Sequence, residues 1–411
     1  MGIPPRLKKS GYPAHNLDEM LIEIKNWKIT LAILCANVVM MASGYNILIP
    51  FLPMYLITEL GVPADDASLW TGLVFSVTFL LGGIMAPIWG KMADKHGKKL
   101  MALRSSIMLC ISYYAMAVVQ TPEQLFMARA FQGFAAGLVS VFMAICSASV
   151  PKDKLGVSMG IFQSSLTAGT VIGPLVGGAL ATYVGMRSSF MVSGTLLLIL
   201  TVVTWLFLPE PPSDPDKGAD KDTEGSIFQR KEIREVLFFM FFIWLVVLIV
   251  QPIMTLYVDQ LSHGEGPVML MSGAIFSSIG IAGAITAPFW GRLGQRKGFH
   301  TTLGIGLVIS SLASLSNVLP DTVAGYAAAN LLFALLFAGV LPSLSSLIAQ
   351  HTQPDERGRA YAYVFSSQQF GSMLGPLIGG AVTTFLPLYS VYYMSSTVLM
   401  LLGLYTIKKH F

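Results

Sequence analysis

The chain has 411 residues, of which 54% are apolar and only 12% charged, and its mean hydropathy is +0.66. Soluble globular chains carry about 25% charged residues, so this composition excludes a water-soluble globule, and length is better read as a number of membrane crossings than of domains. A net charge of +4, spread over short loops, implies no nucleic-acid partner.

The first 27 residues are polar and lack the pattern of a cleavable signal peptide. Within them Leu17, Met20, Leu21, Ile24 and Trp27 recur at helical spacing, with Asp18, Glu19, Glu23 and Lys25 between them. That pattern fits a short helix on the inner membrane face, or an ordinary frayed terminus. A membrane-crossing helix needs about 20 mostly apolar residues, and twelve such runs follow. They lie near 28–58, 67–90, 99–119, 123–150, 156–183, 188–208, 236–258, 267–291, 299–319, 322–350, 359–386 and 388–407. The first, fourth, tenth and eleventh are long for a perpendicular span and must tilt, bend or extend beyond the lipid. In the first, Gly44, Pro50 and Pro53 place a kink toward its outer end.

The expected fold is an all-α membrane protein of twelve transmembrane helices in two pseudo-symmetric six-helix bundles, 28–208 and 236–407. A polar linker, 209–235, joins them. Its density of Pro, Asp and Gly cannot build a packed core, so its first part is expected to be flexible. Of the 26 Lys and Arg, all but Arg129 and Arg187 fall on one side of this alternation. The positive-inside rule then makes 1–27, the linker and 408–411 cytoplasmic.

Two motifs occur twice. Ala86–Gly90 (APIWG) and Ala287–Gly291 (APFWG) are 201 positions apart. Gly169–Gly178 (GTVIGPLVGG) and Gly371–Gly380 (GSMLGPLIGG) are 202 apart. Each falls at the same place in its half, so the chain is one helical unit duplicated in tandem, as in transporters whose halves rock about a central site. In the second motif Gly169, Gly173, Gly177 and Gly178, with Gly371 and Gly375, let another backbone approach closely, and Pro174 and Pro376 bend their helices. Pairing these glycine-faced helices across the two halves would form a seal able to hinge.

The connection after the second span, Gly90–Lys99, sets Asp94 among lysines between Gly90 and Gly97. There it can accept hydrogen bonds from a neighbouring helix N-terminus. The second copy keeps both glycines, Gly291 and Gly298, but has Gln295 in place of the acid. Arg129 is the one ionisable residue well inside a span. A lone intramembrane arginine costs several kcal/mol unless hydrated or paired, so it is expected to face a polar cavity beside Gln132. The 22 acids all lie at span ends or in loops, with Glu59, Asp94 and Asp259 nearest the membrane interior.

Catalytic signatures do not survive inspection. Gly156–Gly160 matches G-x-S-x-G on paper, but Ser158 opens a membrane helix instead of a strand–turn–helix elbow. There is no H-E-x-x-H and no phosphate-binding G-x-x-x-x-G-K-[ST]. Cys35, Cys110 and Cys146 lie in apolar spans without metal-ligand spacing. Short loops leave no room for a soluble catalytic domain, so no enzyme, metal or cofactor is expected.

Taken together, these motifs make the chain resemble the major facilitator superfamily over almost its whole length, and within it the twelve-span drug:proton antiporters. The resemblance rests on Gly90–Lys99, on Arg129-Ala-Phe-Gln132-Gly133-Phe-Ala135-Ala136, on Gly169–Gly178, and on Gly44 with Pro50 and Pro53. It implies alternating access driven by the proton gradient and, from the fifth-span motif, export over import. It implies that Asp94, with Gly90, Gly97 and Lys98, forms a gate latch and that Arg129 couples to protons. It also places the first, fourth, seventh and tenth spans around a central cavity. Those spans offer Met40, Met41, Tyr45, Asn46, Gln132, Phe142, Gln251, Tyr257, Asn330 and Phe337, and the eleventh adds Gln368 and Gln369. Tyr45 and the amides are the candidate substrate contacts. Related exporters often carry an intramembrane carboxylate. Its absence here shifts weight toward neutral or anionic amphiphiles. The implied protein is a monomeric exporter of small lipophilic compounds in the bacterial inner membrane, with protons and membrane lipids as its partners. The rivals are an uptake symporter for a small organic solute, a lipid flippase on the same fold, and an intramembrane enzyme.

Overall fold

In hydrocarbon a single segment satisfies all its own N–H and C=O groups only as a helix, and each apolar run becomes one. The computed structural model describes residues 17–151, 154–208, 210, 230–263, 265–352 and 357–410, and among them no strand occurs. Span 1 comprises Leu17–Ile47 and Leu52–Thr58, span 2 Ala64–His96, span 3 Lys98–Val118 and span 4 Pro122–Phe134 with Leu138–Ser149. Span 5 is Leu155–Tyr183 and span 6 Met186–Phe207. In the second half, span 7 comprises Lys231–Ile249 and Met254–Ser262, span 8 Val268–Lys297 and span 9 Phe299–Leu315. Span 10 comprises Val323–Phe337 and Val340–His351, span 11 Arg357–Phe385 and span 12 Ser390–His410. Eleven of the twelve are long and apolar enough to cross a membrane. Span 11 has the length, 29 residues, but carries Ser366, Ser367, Gln368 and Gln369 and packs between spans 2 and 7.

The boundaries differ from the sequence reading in three places. The helix that begins at Leu17 runs unbroken into span 1 and does not form a separate surface element. Span 7 begins at Lys231, so the basic-acidic end of the expected linker is its first turn; 211–229 lie outside the described residues. Lys408 and Lys409 belong to the last turn of span 12.

Four spans are broken, in two pairs. Span 1 breaks around Pro50 and span 7 around Pro252, because proline donates no N–H to the helix ladder. Span 4 breaks at Gly137, whose φ of 106° favours glycine, and span 10 breaks at Ala338–Gly339. Pro174 and Pro376, by contrast, sit inside continuous helices. The packing repeats as well: span 1 lies on 5, 2 on 4 and 3 on 6, then 7 on 11, 8 on 10 and 9 on 12. The Trp89 indole donates to the Phe134 carbonyl at 2.7 Å, and Trp290, its copy, donates to that of Leu335 at 2.9 Å. Exposed apolar side chains such as Ile199, Trp205, Leu401 and Leu404 cover the outer faces of spans 6 and 12, where lipid is the solvent.

The halves meet where span 2 lies on span 11 and span 5 on span 8. Ser76 Oγ donates to the Met373 carbonyl at 2.6 Å. Its copy Ser277 donates to the Val171 carbonyl at 2.5 Å and accepts from the Leu175 N–H at 3.1 Å. A Cβ on Gly72 would collide with the Pro376 carbonyl, and one on Gly273 with the Pro174 carbonyl. Gly380 meets the Ser68 backbone and Gly178 the Met269 backbone in the same way. These approaches all lie in the half of the membrane away from the basic loops.

Toward the basic face the same helices part. A Cβ on Gly90, Gly160, Gly283 or Gly291 would meet no neighbouring element within 4 Å. On span 2, the line Ser68–Gly72–Ser76 continues by fours into Leu80, Ile84 and Ile88, which are exposed. On span 8, Met269–Gly273–Ser277 continues into exposed Ile281, Ile285 and Phe289. Span 11 still touches span 2 at Gly83, and from there to Gly90 is about 10 Å of helix. The molecule is open over that depth toward the basic loops and sealed toward the opposite face.

Candidate transport site and gate

The glycine motif divides its work differently from the expected pairing of spans 5 and 11. Three glycines in each copy face the first helix of their own bundle. A Cβ on Gly169, Gly173 or Gly177 would lie within 3 Å of backbone atoms at Val39, Ser43 or Ile47. Gly371, Gly375 and Gly379 stand likewise against Phe241, Leu245 and Ile249. The other half is reached by the fourth glycine, by the proline carbonyl and by the backbone that bonds to the seam serines, at Val171 and Leu175 in one copy and Met373 in the other. The partners across the seam, Gly72 and Gly273, went unread in the sequence although they too are 201 apart.

Arg129 is fully buried where spans 1, 2, 3 and 4 converge. Span 4 carries it because Thr121 caps the helix start, accepting from the Gln124 N–H at 3.3 Å. Its Nη1 donates to Gln132 Oε1, one turn on. The guanidinium carbon lies 5.4 Å from the Tyr45 ring centre and 5.2 Å from that of Phe75, within cation–π range. Tyr45 and Tyr113 interact with it electrostatically, and no carboxylate among the described residues does. With the Tyr45 and Tyr113 hydroxyls as polar neighbours, its Nε and Nη2, and Gln132 Nε2, are buried without a well-formed hydrogen bond. Every one of these atoms is a donor, so the cluster is built to receive a negative charge or a polar acceptor.

The other candidates are not assembled around it. Position 330, the copy of Arg129, is Asn330, whose Nδ2 donates to the Tyr326 carbonyl at 3.0 Å. Nearby, the Tyr326 and Tyr392 hydroxyls bond to each other, and the Tyr257 ring lies 5.1 Å from that of Tyr326. The backbone symmetry therefore carries unlike chemistry: a cation in the first half, tyrosines in the second. Asn46 Nδ2 donates to Ala42 in its own helix at 2.7 Å, and its Cβ lies against Gly173. Gln251 is buried at the break in span 7. Gln369 packs on Gly82 and Gly83 of span 2 at the inner edge of the seam, and Gln368 precedes it.

At the basic end, Asp94 lies in the last turns of span 2, with its side chain outside the described residues. Gly97 turns the chain at φ 97° and Gly298 does so at 89°. The N-terminus of span 3, at Lys98, is capped from elsewhere. Glu210, beyond span 6, accepts from the Lys98 N–H at 2.7 Å and the Lys99 N–H at 3.1 Å. Nothing in the Pro-rich stretch around Glu210 marked it for this role. Glu210→Ala is expected to cost about 1 kcal/mol of stability, the worth of a helix cap, read as a lower unfolding midpoint with transport retained.

A paired, two-fold seam sealed at one face and open at the other is the architecture of a rocking transporter. The profile described as Major Facilitator Superfamily matches residues 34–315 and again 269–409. The chain belongs to the major facilitator superfamily. It is 32% identical over 378 residues to the multidrug resistance protein MdtG of Proteus mirabilis, covering 91% of this chain and 94% of that protein. It is 31% identical over 364 residues to the multi-drug resistance efflux pump PmrA homolog of Lactococcus lactis, covering 88% and 90%. Among solved structures, the nucleoside transporter NupG superposes with a TM-score of 0.76 at 15% identity, covering 93% of this chain and 98% of that one. A bacterial homolog of the lysosomal transporter Spinster, inward-facing and occupied, gives 0.76 at 14% identity over 93% and 95%. As a member of the superfamily the protein is a multi-pass membrane transporter and not an enzyme.

Proposed function

We propose that this protein is a secondary active exporter of the bacterial inner membrane, moving small lipophilic compounds outward in exchange for protons and working as a monomer. The observation that carries the reading is the duplicated seam, closed away from the basic loops while the same helices part toward them. With the basic face cytoplasmic by the positive-inside rule, this is the state that receives substrate from inside. The two multidrug-resistance relatives, similar over about nine-tenths of the chain, support export and a broad substrate range. Arg129 is the coupling residue, and Tyr45, Asn46, Gln132, Gln251, Asn330, Gln368 and Gln369 contact substrate. The donor-rich character of the Arg129 cluster favours compounds that bring an acceptor or a negative charge. Asp94, with Gly90, Gly97 and Lys98, latches the basic face when it closes.

The test is dye efflux from cells expressing the protein, with and without an uncoupler. Collapse of efflux on uncoupling is expected, and gradient-insensitive efflux would remove the antiport mechanism. In the same assay Asp94→Asn is expected to slow efflux while leaving folding intact.

A further inference from the structure

Span 5 presents four different sides, and three of them are accounted for. Gly169, Gly173 and Gly177 lie against span 1, and Val171 and Gly178 meet span 8. Val157, Ile161, Ile172 and Val176 are exposed and apolar, a lipid-facing stripe. The fourth side carries Gln163 and Thr170, about 160–180° around the helix from Ile161 at roughly 100° per residue, with Thr167 between them and the seam edge. All three are exposed. They lie about 12–22 Å along the helix from Leu155, at membrane depth, where an exposed amide or hydroxyl belongs against water or a ligand and not hydrocarbon. A helix exposed on two opposite sides, one apolar and one polar, stands between lipid and an aqueous space. That space is the opening between the parted halves.

The two hydroxyls are already committed as donors. Thr167 Oγ1 donates to the Gln163 carbonyl at 3.0 Å, and Thr170 Oγ1 to the Thr167 carbonyl at 2.7 Å. A hydroxyl has one O–H and two lone pairs, so what each has left to offer is acceptance. Gln163 adds a carboxamide, whose oxygen accepts as well. The strip is therefore complementary to N–H groups, the reverse of the donor-rich Arg129 cluster in the same bundle. The second copy is unlike it. At an offset of 202, Phe365 stands for Gln163, Gln369 for Thr167 and Ser372 for Thr170. Phe365 is 46% exposed and Ser372 is buried. One wall of the opening is polar, and its two-fold mate presents an aromatic ring.

We infer that Gln163, Thr167 and Thr170 form a substrate wall that selects lipophilic compounds by an N–H group, while Phe365 takes their apolar part. On the transport reading, on which this assignment rests, the compounds carried are neutral amphiphiles with an N–H at one side and an acceptor for Arg129 at another. Such a site recognises its substrates without an intramembrane carboxylate.

Two measurements on the whole protein in nanodiscs test this wall. In a background with Cys35, Cys110 and Cys146 replaced by alanine, Gln163→Cys and Thr167→Cys are expected to react with a charged methanethiosulfonate about tenfold faster than Ile161→Cys and Ile172→Cys, because water-exposed thiols ionise and lipid-facing ones do not. Binding is then compared for two neutral dyes, a hexylamino-nitrobenzoxadiazole and its N-methyl relative, which lacks the N–H; empty nanodiscs set the background. The wild-type protein is expected to prefer the N–H dye. Gln163→Leu/Thr167→Val/Thr170→Val should weaken that dye by about tenfold, the worth of roughly two hydrogen bonds, and hold the N-methyl dye as before, which also shows the fold intact. Phe365→Ala should weaken both dyes alike. Labelling no faster on the polar side, no preference for the N–H dye in the wild type, equal loss of both dyes in the triple variant, or unchanged binding in Phe365→Ala would overturn the assignment. Neither readout needs a gradient or a direction of transport, so efflux that ignores an uncoupler would remove antiport and leave the wall standing.

Discussion

Arg129→Gln is expected to reduce gradient-driven efflux by about tenfold or more, equivalent to roughly 1.4 kcal/mol or above on the rate-limiting step. The guanidinium is the one charge in the first bundle's polar cluster, and Gln132 Oε1, Tyr45 and Phe75 are arranged around it. Its removal leaves the Gln132 acceptor buried and unpaired, at a cost of about 1–3 kcal/mol, and takes away the donors that would receive an acceptor at this cluster. Arg129→Lys should fail nearly as badly. An ammonium keeps the charge but lacks the planar fork that reaches Gln132 while lying beside two rings. Efflux rates normalised to purified, monodisperse protein check both variants. A fully active Arg129→Lys would mean that only charge matters, and a fully active Arg129→Gln would remove Arg129 from the mechanism.

The second large effect concerns the seam, where the sign of the perturbation is predicted as well as its size. Gly72→Leu and Gly273→Leu drive a side chain into the carbonyls of Pro376 and Pro174. Backbone cannot move aside as a flexible side chain can, so the closed seam is destabilised by about 1–3 kcal/mol or more. A shift of 1.4 kcal/mol is tenfold in the balance between states, so these variants should lie mainly in the state open away from the basic loops. Gly90→Leu meets nothing within 4 Å here and therefore leaves this state untouched. It should obstruct closure of the basic face and bias the protein the opposite way. Labelling by a membrane-impermeant thiol reagent at single cysteines on each face reads the two shifts. Both sets should slow efflux by about tenfold or more, because a transporter held in either state cannot cycle. If Gly90→Leu moved accessibility in the same direction as Gly72→Leu and Gly273→Leu, the assignment of the seam would be wrong.

The duplication was legible because it needs only a comparison of the chain with itself: Trp89 and Trp290, and Pro174 and Pro376, align at fixed offsets and take matching places. Excess length marked spans 1, 4 and 10, which break, but equally span 11, which is one continuous helix; Pro50 marked the place of the kink in span 1. The break in span 7 was missed although Pro252 marks it, because the run around it has ordinary length. Contact partners were less legible. A glycine stripe announces close approach without naming what approaches, so the pairing of Gly169, Gly173 and Gly177 with span 1 had to come from tertiary packing. Tyr326 and Tyr392 are 66 positions apart and share no motif. Arg129 stood out because a charge in hydrocarbon is costly wherever it sits, whereas Tyr113 and Phe75 read as ordinary apolar positions until folding set them beside it.

The account rests on two rigid halves that open to one face as they close to the other, and distances between spin labels across each face test this most directly. One pair, Val157→Cys with Phe289→Cys, reports on the basic face, where both positions are exposed on spans 5 and 8. The other, Asp65→Cys with Leu386→Cys, reports on the opposite face. On acidification or addition of a transported dye, the first distance is predicted to shorten while the second lengthens. Distances that stay fixed, or that change in the same sense while efflux continues, would contradict it.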